Sequence, residues 1–381
     1  MTYANSRPMY DADSHIMELP GWVERHADPG IRDRLPPLGL TKAGTATYQS
    51  IERAVENTKK RAEQGTPIVN VIAGAKGWQA PGAFDPRERS RALDDLGFSR
   101  QLVFSTFAGG QYLRHEDLDV RYGGLRAHNR AIAEFCRDDP RLIAVGQLSL
   151  IDPARAVAEV HAGAEAGCGA FWIPATPAGE RSPGHPELDP VWQALCDVRT
   201  PFMVHVGPNT HFVAKEYLNN GHPLPPDLIG GGENLRVRDF MALSFAPQVF
   251  LTALVFDGVF ERFPRLRGGV IELGAGWVPE FLRLLDTGYK IFQRSDPQLA
   301  ALPLKPSDYI RRQVRFTPFP GEDVGRLIKD AGAELFLFSS DYPHPEGTDD
   351  PAGRFEHKMR GVDERAKEQF YSKNFEYMMG A

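Results

Sequence analysis

The sequence predicts an α/β fold, a (β/α)₈ TIM barrel that forms a single domain over residues 1–381. Short apolar runs alternate with amphipathic helical stretches along nearly the whole chain. The runs are almost continuously apolar, which is typical of parallel strands buried on both faces. Eight such runs with helices between them favour βα units that close into a barrel.

The predicted elements follow one another at helix-sized intervals. The eight strands are expected over residues 9–13, 101–107, 142–148, 170–174, 202–206, 269–273, 314–318 and 335–340. Helices are expected over residues 125–138, 153–166, 190–198, 247–263, 277–293 and 321–331. Several of them open on a Pro or an Asp-Pro pair, as at Asp152-Pro153 and Asp189-Pro190, which is a helix-start signal.

Two connections are too long for a minimal barrel. They cover residues 16–100, with a predicted helix over 46–64, and residues 208–239, which are rich in Pro and Gly. Both leave from the carboxyl ends of strands, so we expect them to wall the catalytic face. For residues 208–239, a flexible linker to a second domain is the alternative interpretation.

The composition limits which binding partners and which cellular compartment are expected. The net charge of −6 is spread over interspersed charges without a Lys or Arg block, which argues against nucleic acid or an anionic membrane as partner. No apolar stretch approaches the ~20 residues that span a bilayer, and the N-terminus lacks a signal-peptide core. Three cysteines without CxxC spacing indicate reduced thiols, so a cytoplasmic protein is expected.

Metal-ligating side chains stand at the ends of three predicted strands. Asp13 and His15 follow the first strand two residues apart, so they share one side of it. His205 ends the fifth strand and Asp341 follows the eighth. Each residue alone is more often a cap or a satisfied polar group. Together, at ends that open on one face of a barrel, they predict a metal site.

The predicted ligands suit a divalent ion with an open coordination position. Asp oxygen and His nitrogen favour Zn²⁺, with Mn²⁺ and Fe²⁺ also compatible. Such an ion lowers the pKa of bound water or polarises a substrate oxygen. Asp341 is expected to bind the ion, to accept a proton from the water, or both. The role of Asp11 stays open: it is a further metal ligand, a hydrogen-bond partner of the ligands, or a polar residue lower in the barrel.

Three pieces of the chain resemble the amidohydrolase superfamily. They are the stretch from Asp11 to His15, the strand ending in His205, and the run Phe338-Ser339-Ser340-Asp341-Tyr342-Pro343-His344. More closely they resemble the amidohydrolase-related branch that contains 2-amino-3-carboxymuconate-6-semialdehyde decarboxylase and γ-resorcylate decarboxylase. The resemblance implies one metal ion held by Asp13, His15, His205 and Asp341. It also raises the expectation of a homo-oligomer, which the two long inserts suggest as a homodimer.

The sixth strand departs from that branch. Its decarboxylases carry a catalytic His there, whereas this chain has Glu272. A carboxylate at this place serves as a ligand or a base but not as a neutral imidazole donor. Hydrolysis would use water activated at Asp341, with Glu272 or His344 supplying the proton to the leaving group. The catalytic candidates are therefore Asp341, Glu272 and His344.

The expected function is a metal-dependent hydrolase acting on a small carboxylated or cyclic molecule, with a carboxy-lyase as the alternative. A dinuclear site that uses Asp11 and Glu272 is a variant. The hypothesis from a different functional class is a non-catalytic barrel that only binds its ligand. Weaker substrate-contacting candidates are His185, His211, the group Arg87, Arg89 and Arg91, and the aromatic residues Trp78, Phe107 and Trp172.

Overall fold

The computed structural model describes residues 2–40, 45–207, 214–222 and 237–380. Within them, eight short parallel strands form one sheet. The strands are β1 (Tyr10–Asp11), β2 (His15–Ile16), β3 (Arg100–Ser105), β4 (Leu142–Gln147), β5 (Cys168–Trp172), β6 (Phe202–His205), β7 (Gly268–Ile271) and β8 (Val314–Phe316). The sheet runs from β1 to β8 in chain order, with β2 also pairing with β3.

An extended segment, residues 336–342, closes the barrel between β8 and the first two strands. The amide of Leu337 donates to the Phe316 carbonyl at 2.9 Å on one side. On the other side, the amide of Ala12 donates to the Phe338 carbonyl at 3.0 Å. The predicted (β/α)₈ barrel is therefore confirmed. The predicted eighth strand, residues 335–340, is this closing segment. It forms isolated bridges and single hydrogen bonds in place of a regular ladder.

The first predicted strand is interrupted. Residues 9–13 were expected as one strand, but β1 ends at Asp11 and β2 begins at His15. The break places Asp13 between the two pieces. From there its backbone carbonyl accepts the amide of Asp341 at 2.8 Å, so the break is tied to the last strand.

Helices surround the sheet, and each of the seven predicted helical stretches coincides with one or two of them. They are α1 (Pro29–Arg32), α2 (Thr45–Gln64), α3 (Pro86–Leu96), α4 (Leu118–Cys136), α5 (Pro153–Ala166), α6 (Asp189–Asp197), α7 (Val237–Ala242), α8 (Phe245–Phe256), α9 (Val259–Arg262), α10 (Val278–Phe292), α11 (Pro297–Ala300), α12 (Pro306–Gln313), α13 (Val324–Ala331), α14 (Pro351–Lys358), α15 (Glu364–Glu368) and α16 (Asn374–Met378). Asp152 caps α5 by accepting the amide of Arg155, whereas α6 begins at Asp189 without a side-chain cap.

The core has two parts. A large apolar cluster lies between the sheet and the helices. A smaller one fills the barrel interior with one or two side chains from most strands, including Leu102, Val145, Met203 and Ile271. This interior packing leaves the ends of the strands as the place where polar side chains meet.

The two inserts differ in how much of them is described. The first carries α1 to α3 and packs on the barrel through Arg89, a fully buried residue of α3. Its guanidinium donates to the carbonyls of Gly82 and His15 and to the side chain of Gln101. Of the second insert, only residues 214–222 and 237–239 are described.

One helical stretch, Val237–Phe256, is long and apolar enough to cross a membrane by length and composition. It corrects the expectation that no stretch approaches that length. Half of it is buried in the protein, as in many core helices, so it is weak evidence for a membrane span.

Candidate metal centre

The predicted ligands meet at the carboxyl ends of the strands. His15 begins β2, His205 ends β6, and Glu272 follows β7 directly. Asp341 lies near the end of the closing segment, beside Asp13. Asp13, His15 and His205 are almost completely buried, and Asp341 is 8% exposed. The barrel therefore brings together side chains that are up to 328 residues apart in the chain.

Short distances join these side chains around Asp13. Its Oδ1 lies 3.2 Å from Nε2 of His205 and 3.3 Å from Nε2 of His15. Nε2 of His205 is in turn 3.4 Å from Oε2 of Glu272. One ligand atom from each of these four residues lies within 4.8 Å of the others, which is a spacing that one metal ion can bridge.

Asp341 belongs to two neighbouring groups that overlap with the first. Its Oδ1 is 3.5 Å from Nε2 of His15 and 3.0 Å from Nδ1 of His344. It also groups with Glu272 and Glu346. Glu272 thus groups with Asp13, His15 and His205, whereas Asp341 groups with His15 and His344.

The outer nitrogens of two histidines hold their rings in place. Nδ1 of His205 is 2.8 Å from the Val206 carbonyl, and Nδ1 of His15 is 3.4 Å from the Ser105 carbonyl. A carbonyl only accepts, so each Nδ1 carries the proton and each Nε2 presents its lone pair to the centre. This is how outer partners orient the histidine ligands of metal sites.

The buried polar atoms fit a divalent cation. Nε2 of His15 and Oδ1 of Asp341 make no hydrogen bond of acceptable geometry with any described residue, although they face each other. Atoms buried in this way lose hydration without an internal replacement. Carboxylate oxygens and imidazole nitrogens that converge are the ligand set of Zn²⁺, Mn²⁺ or Fe²⁺, so the residues present suit such an ion.

The local electrostatics favour two of the protonation states that metal ligands need. Burial raises the pKa of Asp13, but the adjacent His205 and His15 outweigh it, so this pKa lies below its ordinary value. Burial, helped by neighbouring His344, lowers the pKa of His15 to about 4. Asp13 is therefore charged and His15 neutral near pH 7. Burial also raises the pKa of Asp341 to about 8.

Glu272 and Asp341 share an unusual backbone. Both have φ of +54°, the left-handed region that non-glycine residues rarely adopt. Such conformations cost roughly 1–3 kcal/mol each and concentrate at functional sites. The strand ends turn sharply there, and the turn aims each carboxylate at the centre.

A cavity of about 420 Å³ opens beside the ligands. Asp13, Glu272 and Asp341 line its inner end. Its walls are largely apolar, with Phe240 and Phe319 stacked at a ring distance of 5.6 Å. Two charged residues that complete the lining are Glu346 and Arg354. The cavity suits a small molecule with an apolar, flat body.

Several candidates lie away from this centre. Asp11 is absent from the ligand groups. Its oxygens accept from Ser340 and Gln101, so it connects the first strand to β3 and to the closing segment. Arg89 is buried below His15 as described, and His185 caps a helical turn. Trp78 stacks on Phe107, and Trp172 packs on His205 outside the cavity lining. Of these candidates, only His211 lies outside the described residues.

Three residues at or near the centre were missed from the sequence. Glu346 follows His344 by two residues in the same run, so its position was a usable signal. Thr106 follows β3 and contacts His344, and Glu18 binds the backbone around Thr106. Neither carries a local pattern that distinguishes it from an ordinary loop residue.

Solved structures share this architecture. An amidohydrolase from Mycobacterium avium subsp. paratuberculosis K-10 has a TM-score of 0.74 at 20% identity, covering 99% of this chain and 98% of that one. The 5-carboxyvanillate decarboxylase of Novosphingobium aromaticivorans DSM 12444, solved with manganese and 4-hydroxy-3-methoxy-5-nitrobenzoic acid, has a TM-score of 0.66 at 18% identity, with 100% and 98% covered. These likenesses concern the fold.

A third solved structure has a similar fold and also contains manganese. The dihydroxybenzoic acid decarboxylase of Polaromonas sp. JS666, solved with manganese and 2-nitroresorcinol, has a TM-score of 0.63 at 16% identity, with 98% of this chain and 97% of that one covered. The sequence model described as Amidohydrolase matches residues 10–374, nearly the entire chain. The chain belongs to the amidohydrolase family.

Proposed function

We propose that this protein is a divalent-metal-dependent decarboxylase of a small aromatic carboxylate. The observation that carries the proposal is the cavity of about 420 Å³, because it joins the ligand groups to stacked aromatic walls and an arginine. The decarboxylases of similar fold, solved with substituted aromatic ligands, support the same substrate class. We therefore propose a carboxy-lyase first, although the sequence analysis placed the hydrolase first.

The proposed chemistry breaks one carbon–carbon bond. The electron pair of the bond to the carboxyl group stays on the ring carbon, carbon dioxide leaves, and the ring carbon takes a proton. An ion held by Asp13, His15 and His205, with Glu272 or Asp341, would polarise a substrate oxygen. Phe240 and Phe319 would pack against the ring, and Arg354 would pair with an anionic group. Glu272 lines the same cavity and, where Asp341 completes the ligand set, would deliver the proton.

We propose one ion per chain and test manganese beside zinc. The mixed nitrogen and oxygen ligands suit Zn²⁺, Mn²⁺ and Fe²⁺ alike. Manganese in the two decarboxylases of similar fold supports Mn²⁺ as the first alternative to the expected Zn²⁺. The buried, unpaired thiols of Cys136, Cys168 and Cys196 support a cytoplasmic location.

Hydrolysis is the second candidate, and Glu272 favours it. A carboxylate 3.4 Å from His205 is suited to accept a proton from an attacking water. It stands where the decarboxylases that the chain resembles carry histidine. Asp341 and His344 would then complete the proton transfers to the leaving group.

Variants of Glu272 test the two chemistries. We expect the metal-loaded enzyme to release carbon dioxide from dihydroxybenzoates or carboxyvanillate. Glu272→Gln keeps the shape but not the proton, so it should lower that turnover by ~10²–10⁴ while metal content holds. Glu272→His should preserve or raise decarboxylation but nearly abolish hydrolysis.

Carbon dioxide and hydrolysis products are measured side by side for both variants and the wild type. Hydrolysis of an ester or amide analogue without carbon dioxide release would overturn the decarboxylase in favour of the hydrolase. Wild-type turnover in both variants would mean that Glu272 takes no part in the reaction.

A further inference from the structure

Thr106 contacts both the first strand and a histidine of the centre. Its Oγ1 lies 2.7 Å from the Ile16 carbonyl and 2.9 Å from Nε2 of His344. A hydroxyl has one proton to donate, and the carbonyl can only accept. The proton of Thr106 therefore goes to Ile16, and the hydroxyl oxygen accepts from an Nε2–H of His344.

This hydrogen bond determines which ring nitrogen of His344 points to the candidate metal centre. With Nε2 committed to Thr106, Nδ1 is the nitrogen that points to Oδ1 of Asp341, at 3.0 Å. The ring is completely buried and stacks on His15 with 4.0 Å between ring centres and a tilt of 22°. The stacking fixes the plane of the ring, and Thr106 fixes its orientation within that plane.

A buried carboxylate holds Thr106 itself in place. The amides of Thr106 and Phe107 donate to Glu18 Oε2 at 3.2 Å each, and that of Ala108 donates to Oε1 at 2.8 Å. Glu18 is 0% exposed. Three amides on one carboxylate hold the backbone of the loop after β3, and the bond to the Ile16 carbonyl holds the hydroxyl of Thr106.

We propose that Thr106 is a positioning residue that holds His344 in the Nε2–H form and reserves its Nδ1 for the metal centre. Outer partners of this kind change metal affinity or activity by roughly 10- to 100-fold when they are removed. The consequence for turnover rests on the proposed function. The form of the ring does not, because it follows from contacts within the protein.

The test compares Thr106→Val, which keeps the shape and loses the hydroxyl, with Thr106→Ser, which restores it. Thr200→Val is the matched control, since Thr200 is a buried threonine just before β6 with no side-chain hydrogen bond among the described residues. Nitrogen-15 histidine spectra of metal-free and Zn²⁺-loaded protein report the protonated nitrogen. His344→Gln identifies the His344 signals among the 11 histidines.

We expect wild type, Thr106→Ser and Thr200→Val to share one His344 signature with the proton on Nε2. Thr106→Val should lose that signature, bind Zn²⁺ or Mn²⁺ about 10-fold more weakly by calorimetry, and lower kcat/KM by a similar factor. Unfolding midpoints of the two valine variants should be close.

Two results would overturn the proposal. One is an unchanged His344 signature and metal affinity in Thr106→Val. The other is a serine variant that behaves like the valine variant. If no variant or wild type decarboxylates any probe, the proposed function fails, and a signature that still separates valine from serine leaves the role of Thr106 standing.

Discussion

The imidazole of His205 is held from several sides. Its Nδ1 bonds to the Val206 carbonyl, and its ring packs on Phe104 at 4.5 Å and on Trp172 at 5.0 Å. Its Nε2 is within 3.4 Å of both Asp13 and Glu272. A ring so fixed is already in place before an ion arrives, which lowers the entropy lost on binding.

We expect His205→Ala to abolish metal retention and turnover while the barrel still folds. Removing one of about four ligands leaves the ion weakly held, and the emptied space costs roughly 1–3 kcal/mol of the free energy of unfolding. Metal analysis of protein purified without chelator, together with urea unfolding, measures both effects. His161→Ala, an exposed histidine of α5, is the control. Full metal occupancy in His205→Ala would rule out its role as a ligand.

The strand ends explain which site residues could be predicted from the sequence. Asp13, His15, His205 and Asp341 follow apolar runs, and a barrel sends all such ends to one face. The contacts of Thr106 and Glu346 depend on loop backbones that no apolar run specifies. The left-handed φ of Glu272 and Asp341 could not be predicted either, because Glu rarely adopts that region and Asp, although enriched there, adopts it at only a small fraction of its positions.

At the scale of elements, Asp11 joins the first strand to the last. It accepts the amide of Ser340 at 2.8 Å, the hydroxyl of Ser340 at 2.6 Å and the amide group of Gln101 at 2.8 Å. Arg89 holds the other end of Gln101 at 2.9 Å. Because of these bonds, the first insert, β3 and the closing segment are part of one buried network.

We expect Asp11→Asn to destabilise the fold by about 2–3 kcal/mol without removing the metal. Every partner of the carboxylate, including the amide of Asp13, donates to it, so the amide NH₂ of asparagine would face a donor and leave it unsatisfied. Urea unfolding measures the loss, and metal analysis of the folded variant tests the second half. Loss of metal at unchanged stability would instead make Asp11 a ligand.

Most predicted elements are confirmed, and the errors have local causes. The apolar runs correctly predicted the positions of the strands. The predicted ends differ from the observed ends by a few residues. A single helix over 247–263 was wrong, since α8 ends at Phe256 and Gly258 adopts a left-handed φ of +74° before α9. Asp13 and Ser14 make polar, non-ladder contacts that break the first strand, which an apolar pattern cannot show.

For the whole molecule, α7 and α8 present an apolar stripe to solvent. Val237, Met241, Phe245 and Val249 follow at four-residue steps and are 52–75% exposed. Phe240 is 52% exposed and also lines the cavity. The stripe therefore continues to the site, as expected of a surface that a second copy covers.

We expect a homodimer of about twice the 42.3 kDa of one chain in sedimentation at micromolar concentration. A charge within the stripe, as in Val249→Lys, should shift the protein to monomer because it must be desolvated at the interface. Leu284→Lys, at an exposed apolar residue of α10, is the matched control and should leave the dimer intact. A stable species of 42.3 kDa for the wild type would remove the idea.

The closure of the barrel by residues 336–342 also orders events during synthesis. The bonds between Asp11 and Ser340 span 329 positions, so the first strand waits for its last neighbour until nearly all of the chain has been made. A nascent chain that ends before this segment lacks Asp341 and His344 and exposes the unpaired edge of β1. Such edges invite pairing with other chains. The complete ligand set, and with it the protection of this edge, therefore exists only once the closing segment has been made.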